Sequence, residues 1–257
     1  MSDDRIHPAA SLGFEVAVEH YERGRPTYPD DAVTYLVREL AIAEGRDVAE
    51  LGAGTGKFTE LIVHTGARIT GVEPVPAMRA ALERNCPTIR VVDGTAEEIP
   101  AEDATFDTVL AASAFHWFDG DRTLPEIHRV LRPEGALGMI WNARDEASDW
   151  SERLTEIFDR LAGEGAPRYR SGRWREALQR TDLFGPLHHR LAYHVHHVTP
   201  EAFLDRVLSV SYVAAASEGE RAHVRAEVDE LIATDPELGG DEIAIAYRTD
   251  VFWTHRR

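Results

Sequence analysis

The feature that most constrains the fold is an apolar run that breaks into closely spaced glycines. Val48-Ala49-Glu50-Leu51 leads into Gly52-x-Gly54-x-Gly56, and a helical pattern then runs to Gly66. Glycine tolerates left-handed backbone and has no Cβ, so a turn of this kind lets the main chain approach a ligand closely. The same alternation continues downstream. The stretches "RITGVEP", "IRVVDG", "FDTVLAASAF" and "ALGMIWN" read as strands. Helices are expected at "PAMRAALERN", with Pro76 near its first turn, and at "LPEIHRVL", where Leu124, Ile127 and Leu131 share one face. Upstream, Asp30 or Asp31 is placed to cap a helix carrying Val33, Leu36, Val37 and Leu40. Strands alternating with helices predict an α/β fold, a doubly wound and mostly parallel sheet with helices on both faces.

From Arg144 the pattern changes. Polar, arginine-bearing helical stretches surround "HHRLAYHVHHV", and the chain closes with a second alternating run, "DEIAIAYRTDVFWTHRR". These two runs are expected to pair at one sheet edge, with the helices between them forming a cap. At 257 residues the chain is long for one domain and short for two. It is read as a single domain with a ligand-binding core at about 30–142, a cap and sheet-edge strand at about 143–240, and a last strand at 241–257.

Charge and composition narrow the partners. The formal net charge is −17 and Lys57 is the only lysine, which disfavours a nucleic-acid backbone as ligand. No window approaches the roughly 18 apolar residues of a membrane helix. The opening "MSDDRIHPAA" is acidic where a secretory signal would be basic and apolar, so a cytoplasmic protein is expected. Cys86 stands alone, too few for a disulfide or a thiolate metal site. A small-molecule substrate fits best, and no pattern specifies an oligomeric state.

The spacing of the glycines rules out a P-loop. Phe58 occupies the position of the Mg²⁺-binding hydroxyl, and Leu51 that of the first glycine. The G-x-G-x-x-G dinucleotide fingerprint is also not met, although Glu73 lies about where an acid would grip ribose hydroxyls. Glu50 directly before the turn is unhelpful to a pyrophosphate but suits a ligand bearing an ammonium and a sulfonium. A nicotinamide-dependent oxidoreductase remains the alternative at this point, as does a catalytically silent binder of the sulfonium ligand.

In their order along the chain, "VAELGAGTGKF", "GVEPVPAMRAAL", "VVDGTAEEIP", "FDTVLAASAFHWFD" and "IHRVLRPEGALGMIW" resemble the successive motifs of class I S-adenosylmethionine-dependent methyltransferases. "YERGRPTYP", "AFHWF" and "SVSYVAA" are similar to the trans-aconitate methyltransferase-like, or type 11, branch. The resemblance is specific over about 20–142 and loose beyond. It implies a seven-stranded sheet with an antiparallel last strand, S-adenosylmethionine as cofactor, and methyl transfer to a small molecule.

The resemblance also implies roles for particular residues. Glu50 and the backbone of Gly52, Ala53, Gly54 and Gly56 would hold the methionine portion, and Glu73 with Pro74 the ribose. Thr95, Ala96 and Glu97 would line the adenine, although many relatives carry an acid where Thr95 stands. Ser113 follows the fourth strand, where the methyl group meets its acceptor. His116 is the candidate general base for a hydroxyl acceptor, or else a pocket wall packed on Trp117. Trp117 and Phe118 offer aromatic faces to a sulfonium or substrate. Tyr21 and Arg25 are placed to reach the cofactor carboxylate or an anionic substrate. Arg170, Arg173 and Arg206 are candidates for meeting a substrate acid, with plain surface solvation as the competing reading of each. These arginines favour a carboxylate acceptor and methyl-ester formation. The histidines at 188, 189, 194, 196 and 197 lack an evident third metal ligand, so no metal is expected.

Overall fold

The computed structural model describes residues 24–163 and 166–257. Its centre is a seven-stranded sheet in the order β3-β2-β1-β4-β5-β7-β6. The strands are β1 (Asp47–Leu51), β2 (Arg68–Val72), β3 (Arg90–Val92), β4 (Phe106–Ala112), β5 (Leu131–Arg144), β6 (His188–Val198) and β7 (Ile243–His255). β1 runs parallel to β2 and β4, β2 to β3, and β4 to β5. β7 runs against β5: Arg256 N–H donates to Gly135 O at one end, and Asp145 N–H to Ala246 O at the other. The chain thus winds outward from β1 to β3, then returns to β4 on the opposite side. The β1/β4 junction is therefore the switch point, where open α/β sheets leave a crevice beyond the strand ends.

Helices α1 (Asp30–Glu39), α2 (Thr59–Ile62), α3 (Pro76–Asn85) and α4 (Gly120–Val130) connect these strands. They are followed by α5 (Asp149–Ala162), α6 (Trp174–Arg180), α7 (Pro200–Leu208), α8 (Ser211–Ala214) and α9 (Glu218–Thr234). One apolar cluster joins Leu36 and Leu40 of α1 to Val48, Ile69, Leu110 and Ile140. A second joins Leu124, Ile127 and Val130 of α4 to Leu51, Val109, Met139 and Trp141. Alternate side chains of the central strands thus feed two cores, which is why these strands read as nearly continuous apolar runs. At the other end of β1 and β4, Arg68 and Arg132 bind Asp47, and Arg46 and Arg132 bind Asp107.

Some local expectations are corrected. Neither Asp30 nor Asp31 caps α1; Pro29 holds the cap position and both acids lie in the first turn, where they complement the helix dipole. Helix α4 begins earlier than Leu124, because Asp119 accepts from Asp121 N–H and nucleates a turn upstream. Leu131, expected on that helix, is instead the fully buried first residue of β5.

The chain divides into two compact units: Thr27–Asn142 with Pro167–Ala192 and Thr249–Arg257, and a second built from Ala143–Ala166 and Tyr193–Arg248 with the described residues before Thr27. In the second unit, α5, α7 and α9 share an apolar core that includes Trp150, Phe203, Val228 and Tyr247. Among the described residues no helix is long and apolar enough to cross a membrane.

Candidate active site

The glycine turn lies beyond the end of β1, at the switch point. Gly52, Gly54 and Gly56 have φ of 63°, 59° and 95°. L side chains rarely adopt these angles, so the pattern is a backbone requirement. At Gly52 there is a second reason: a Cβ there would stand 2.9 Å from Ala114 Cβ and 3.5 Å from Phe118 Cζ. The turn after β1 and the segment after β4 are therefore packed directly on one another. The turn is anchored at both ends, Gly52 N–H donating to Val72 O and Asn85 Nδ2 of α3 to Thr55 O.

Two buried acids flank this turn. Glu50, 1 % exposed, receives a hydrogen bond of 2.5 Å from Thr59 Oγ1. Burial pushes its carboxyl up to about 8; the Thr59 bond opposes the shift, and the neighbouring Glu73 adds to it. Glu73, 5 % exposed, accepts from Val75 N–H through one oxygen and from Gly54 N–H through the other, both at 2.9 Å. Burial raises its carboxyl to about 7 against those two bonds. Arg79 reaches back from α3 to the carbonyls of Glu73 and Pro74, fixing the strand end. Two buried carboxylates with raised affinity for a proton form a site that favours a cation.

The loop after β3 is tied down from α4. Thr95 and Ala96 are buried. Glu97 is turned toward α4: its Oε1 accepts from Asp119 N–H at 2.9 Å and from Thr123 Oγ1 at 3.4 Å. Arg129 donates to the carbonyls of Ile99 and Ala101 and pairs with Glu126 and Asp103. Glu97 thus anchors the loop after β3 to the start of α4.

After β4 the backbone takes an unusual turn. Ser113 has φ 52°, outside the range most side chains adopt, and its hydroxyl meets Tyr28 OH at 2.8 Å. Phe115, His116 and Trp117 form a single 3₁₀ turn. Phe115 is buried and packs edge-on against Phe118. The His116 ring lies 5.3 Å from Trp117, and its Nδ1 accepts from Trp141 Nε1–H at 3.2 Å. Arg170 and Arg173 belong to the same unit; both are exposed, and the turn bearing Arg170 leans on Trp141 through Tyr169.

Arg25 and Arg206 lie in the second unit. Arg25 donates to Ser209 O, the carbonyl capping α7. Arg206 Nε reaches Tyr247 OH at 3.3 Å. A Cβ on Gly24 would stand 2.4 Å from Arg206 N, so these two segments touch backbone to backbone. Tyr21 lies outside the described residues. The histidine run divides between the two faces of β6. His188 stacks on Trp253, His189 on Phe252 with Nε2 2.7 Å from Asp250, His194 on Tyr247, and His197 pairs with Glu242.

Sequence reasoning missed Thr59, Tyr28 and Trp141. Each acts through a partner distant in the chain, and none carries a motif of its own. Only Thr59, on the helix that opens after the glycines, was within reach of a local argument.

Comparison with known proteins agrees with this geometry. A family model described as a methyltransferase domain matches residues 49–139. An uncharacterized methyltransferase of Mycobacterium tuberculosis is 39% identical over 240 residues, covering 93% of each chain. The chain therefore belongs to the methyltransferase family, and its motifs and sheet are those of the class I S-adenosylmethionine-dependent enzymes. Among solved structures, the [4+2]-cyclase SpnF aligns at a TM-score of 0.59 and 15% identity over 96% of this chain and 95% of its own. A phosphoethanolamine N-methyltransferase of Haemonchus contortus, solved with S-adenosylhomocysteine, aligns at 0.54 and 16% identity over 94% of this chain and 57% of its own. These two likenesses concern the fold alone.

The donor set fits the family cofactor. Each Glu73 oxygen accepts one backbone N–H and keeps a second acceptor position, so the pair can grip a vicinal diol. Glu50 supplies a carboxyl that a bound cation would ionise, beside a turn whose missing Cβ atoms leave room for close approach.

Proposed function

We propose that the chain methylates the carboxylate of a small molecule, forming a methyl ester, in the manner of the trans-aconitate methyltransferase-like branch that its motifs resemble. The observation that carries this reading is His116 Nδ1, which already accepts from Trp141 Nε1–H, so that lone pair is not offered to an acceptor that must lose a proton. A carboxylate needs no base. The acidic surface also argues against nucleic acid and for a small acceptor.

S-adenosylmethionine, when bound, would supply an electrophilic methyl group, and a carboxylate acceptor would need no proton removed. This chain's residues then have three tasks. Glu50 and the Gly52–Gly56 backbone would hold the methionine portion with its ammonium, Glu73 would orient the ribose, and Ala114 to Phe118 would close the site against water. The test is incubation with methyl-labelled S-adenosylmethionine and a panel of small carboxylic acids, phenols and amines, followed by mild alkali. Release of label as methanol identifies an ester. Alkali-stable product would overturn the carboxylate reading.

A further inference from the structure

We propose that Tyr28 is a positioning residue for methyl transfer: its hydroxyl holds Ser113 in the left-handed backbone turn that lays Ala114 and Phe118 on the glycine turn. This rests on Ala114 to Phe118 being the wall that closes the site, and not on which group is methylated.

β4 ends at Ala112, and the next residue turns the chain. Ser113 has φ 52°, in the left-handed region that residues other than glycine seldom adopt. Such a conformation persists only where surrounding contacts hold it. Two are present. Ser113 N–H donates to Ile140 O at 2.8 Å, which extends the pairing of β4 with β5 by one residue. The Ser113 hydroxyl lies 2.8 Å from Tyr28 OH, 85 residues earlier in the chain.

The consequence is read at Gly52. A Cβ there would stand 2.9 Å from Ala114 Cβ and 3.5 Å from Phe118 Cζ. An approach this close depends on the direction the chain takes at Ser113. An extended backbone there would carry Ala114 away from the glycine turn.

Tyr28 is itself firmly placed. It is 7 % exposed, and its ring packs edge-on against Phe58 at 5.4 Å. Phe58 is buried and stands two residues after Gly56. Pro26 and Pro29 restrict the backbone on either side. Asn142 Nδ2 donates to Thr27 O at 2.9 Å, and Pro29 O accepts from Ala32 and Val33 N–H at the start of α1. Tyr28 therefore touches both walls of the crevice: the turn after β1 through its ring, and the segment after β4 through its hydroxyl. Tyr28→Phe removes the second contact and keeps the first.

A hydroxyl that acts by holding this backbone becomes superfluous once residue 113 takes the left-handed angle unaided. Glycine does so without steric cost. Ser113→Gly is therefore the diagnostic background, because it separates a role in backbone geometry from direct contact with a ligand.

Two measurements decide the point. The first is hydrogen exchange of the ligand-free protein, followed by mass spectrometry over residues 113–119. This stretch contains the amides of Trp117 and Phe118, which donate to Ala114 O and Phe115 O. Tyr28→Phe and Ser113→Ala should each speed exchange there by roughly tenfold, with the double variant no faster than either single one. Exchange at the wild-type rate in both single variants would overturn the proposal. The second measurement is kcat with whichever acceptor the labelled-methyl panel yields, beside the Kd for S-adenosylhomocysteine. Tyr28→Phe should lower kcat about tenfold while that Kd stays within about threefold, since Glu50 and Glu73 lie on the other wall. In the Ser113→Gly background the same substitution should change kcat by less than about twofold. An equal fall in both backgrounds would show the phenol acting on a ligand directly, and the positioning role would be lost. A product other than an ester overturns the carboxylate reading and leaves both of these results unaffected.

Discussion

Thr59 Oγ1 donates to Glu50 Oε2 at 2.5 Å across the glycine turn, from the first residue of α2 to the end of β1. Both side chains are sealed from solvent. The bond ties the charge at the turn to the helix that begins just beyond it, and it is the contact that most favours the ionised form of Glu50 against burial. Removing it as Thr59→Val leaves the shape nearly unchanged and takes away the donor. The affinity for S-adenosylmethionine is expected to fall about tenfold, measured by calorimetric titration, and by a similar factor for S-adenosylhomocysteine, which keeps the same ammonium.

The raised carboxyl values of Glu50 and Glu73, about 8 and about 7 against an ordinary 4.5, set a pH dependence. The folded state holds protons that the unfolded state has released above pH 4.5. The stability these groups contribute is complete below about 4.5 and is lost as pH rises through about 7 and 8. Each group can cost on the order of 1.4 kcal/mol per pH unit across that window. Affinity for the cationic cofactor should move in the opposite sense, tightening up to about pH 8. Denaturant melts of the ligand-free protein, paired with binding titrations from pH 5 to 9, check both signs.

Gly52→Ala meets two obstacles: a φ of 63° and a Cβ 2.9 Å from that of Ala114. The expected loss is roughly 2–4 kcal/mol of stability from strain and overpacking together. Gly172→Ala, at φ 72° with open space around it, is the control and should cost only about 1–2 kcal/mol. Chemical denaturation of the two variants separates the steric from the conformational part.

Glu73→Ala leaves the N–H groups of Gly54 and Val75 without their acceptor and removes the candidate diol grip. S-adenosylhomocysteine binding should weaken by roughly 10²-fold. A 2′-deoxyribose analogue should discriminate wild type from the variant: weakened binding to the first, little further loss with the second.

Local pattern carried a good deal of this protein. Helix α3 runs from Pro76 to Asn85 and β6 from His188 to Val198, the bounds their sequence periodicities indicate. The reason is that these elements are specified by near neighbours: a proline at a first turn, alternation along a strand. The Gly52-x-Gly54-x-Gly56 turn is legible for the same reason, since its left-handed angles depend on the residue itself. Glu50 is the penultimate residue of β1 and Glu73 directly follows β2; both are legible because strand ends at a switch point converge wherever this winding occurs.

What the sequence could not hold was the partner of each functional side chain. Glu97 stands in a motif expected to line adenine, yet its carboxylate anchors the start of α4, 22 residues away. Trp141 looks like ordinary core on a strand, but its N–H donates to His116 Nδ1, 25 residues away. Arg170, Arg173 and Arg206 are indistinguishable as letters; packing exposes the first two and encloses a donor of the third. Backbone conformation and strand periodicity are short-range properties, so the chain by itself determined the sheet, the glycine turn and the acids beside it. Hydrogen-bond pairing, burial and the protonation that follows from them depend on atoms brought from afar, and those only the tertiary structure decided.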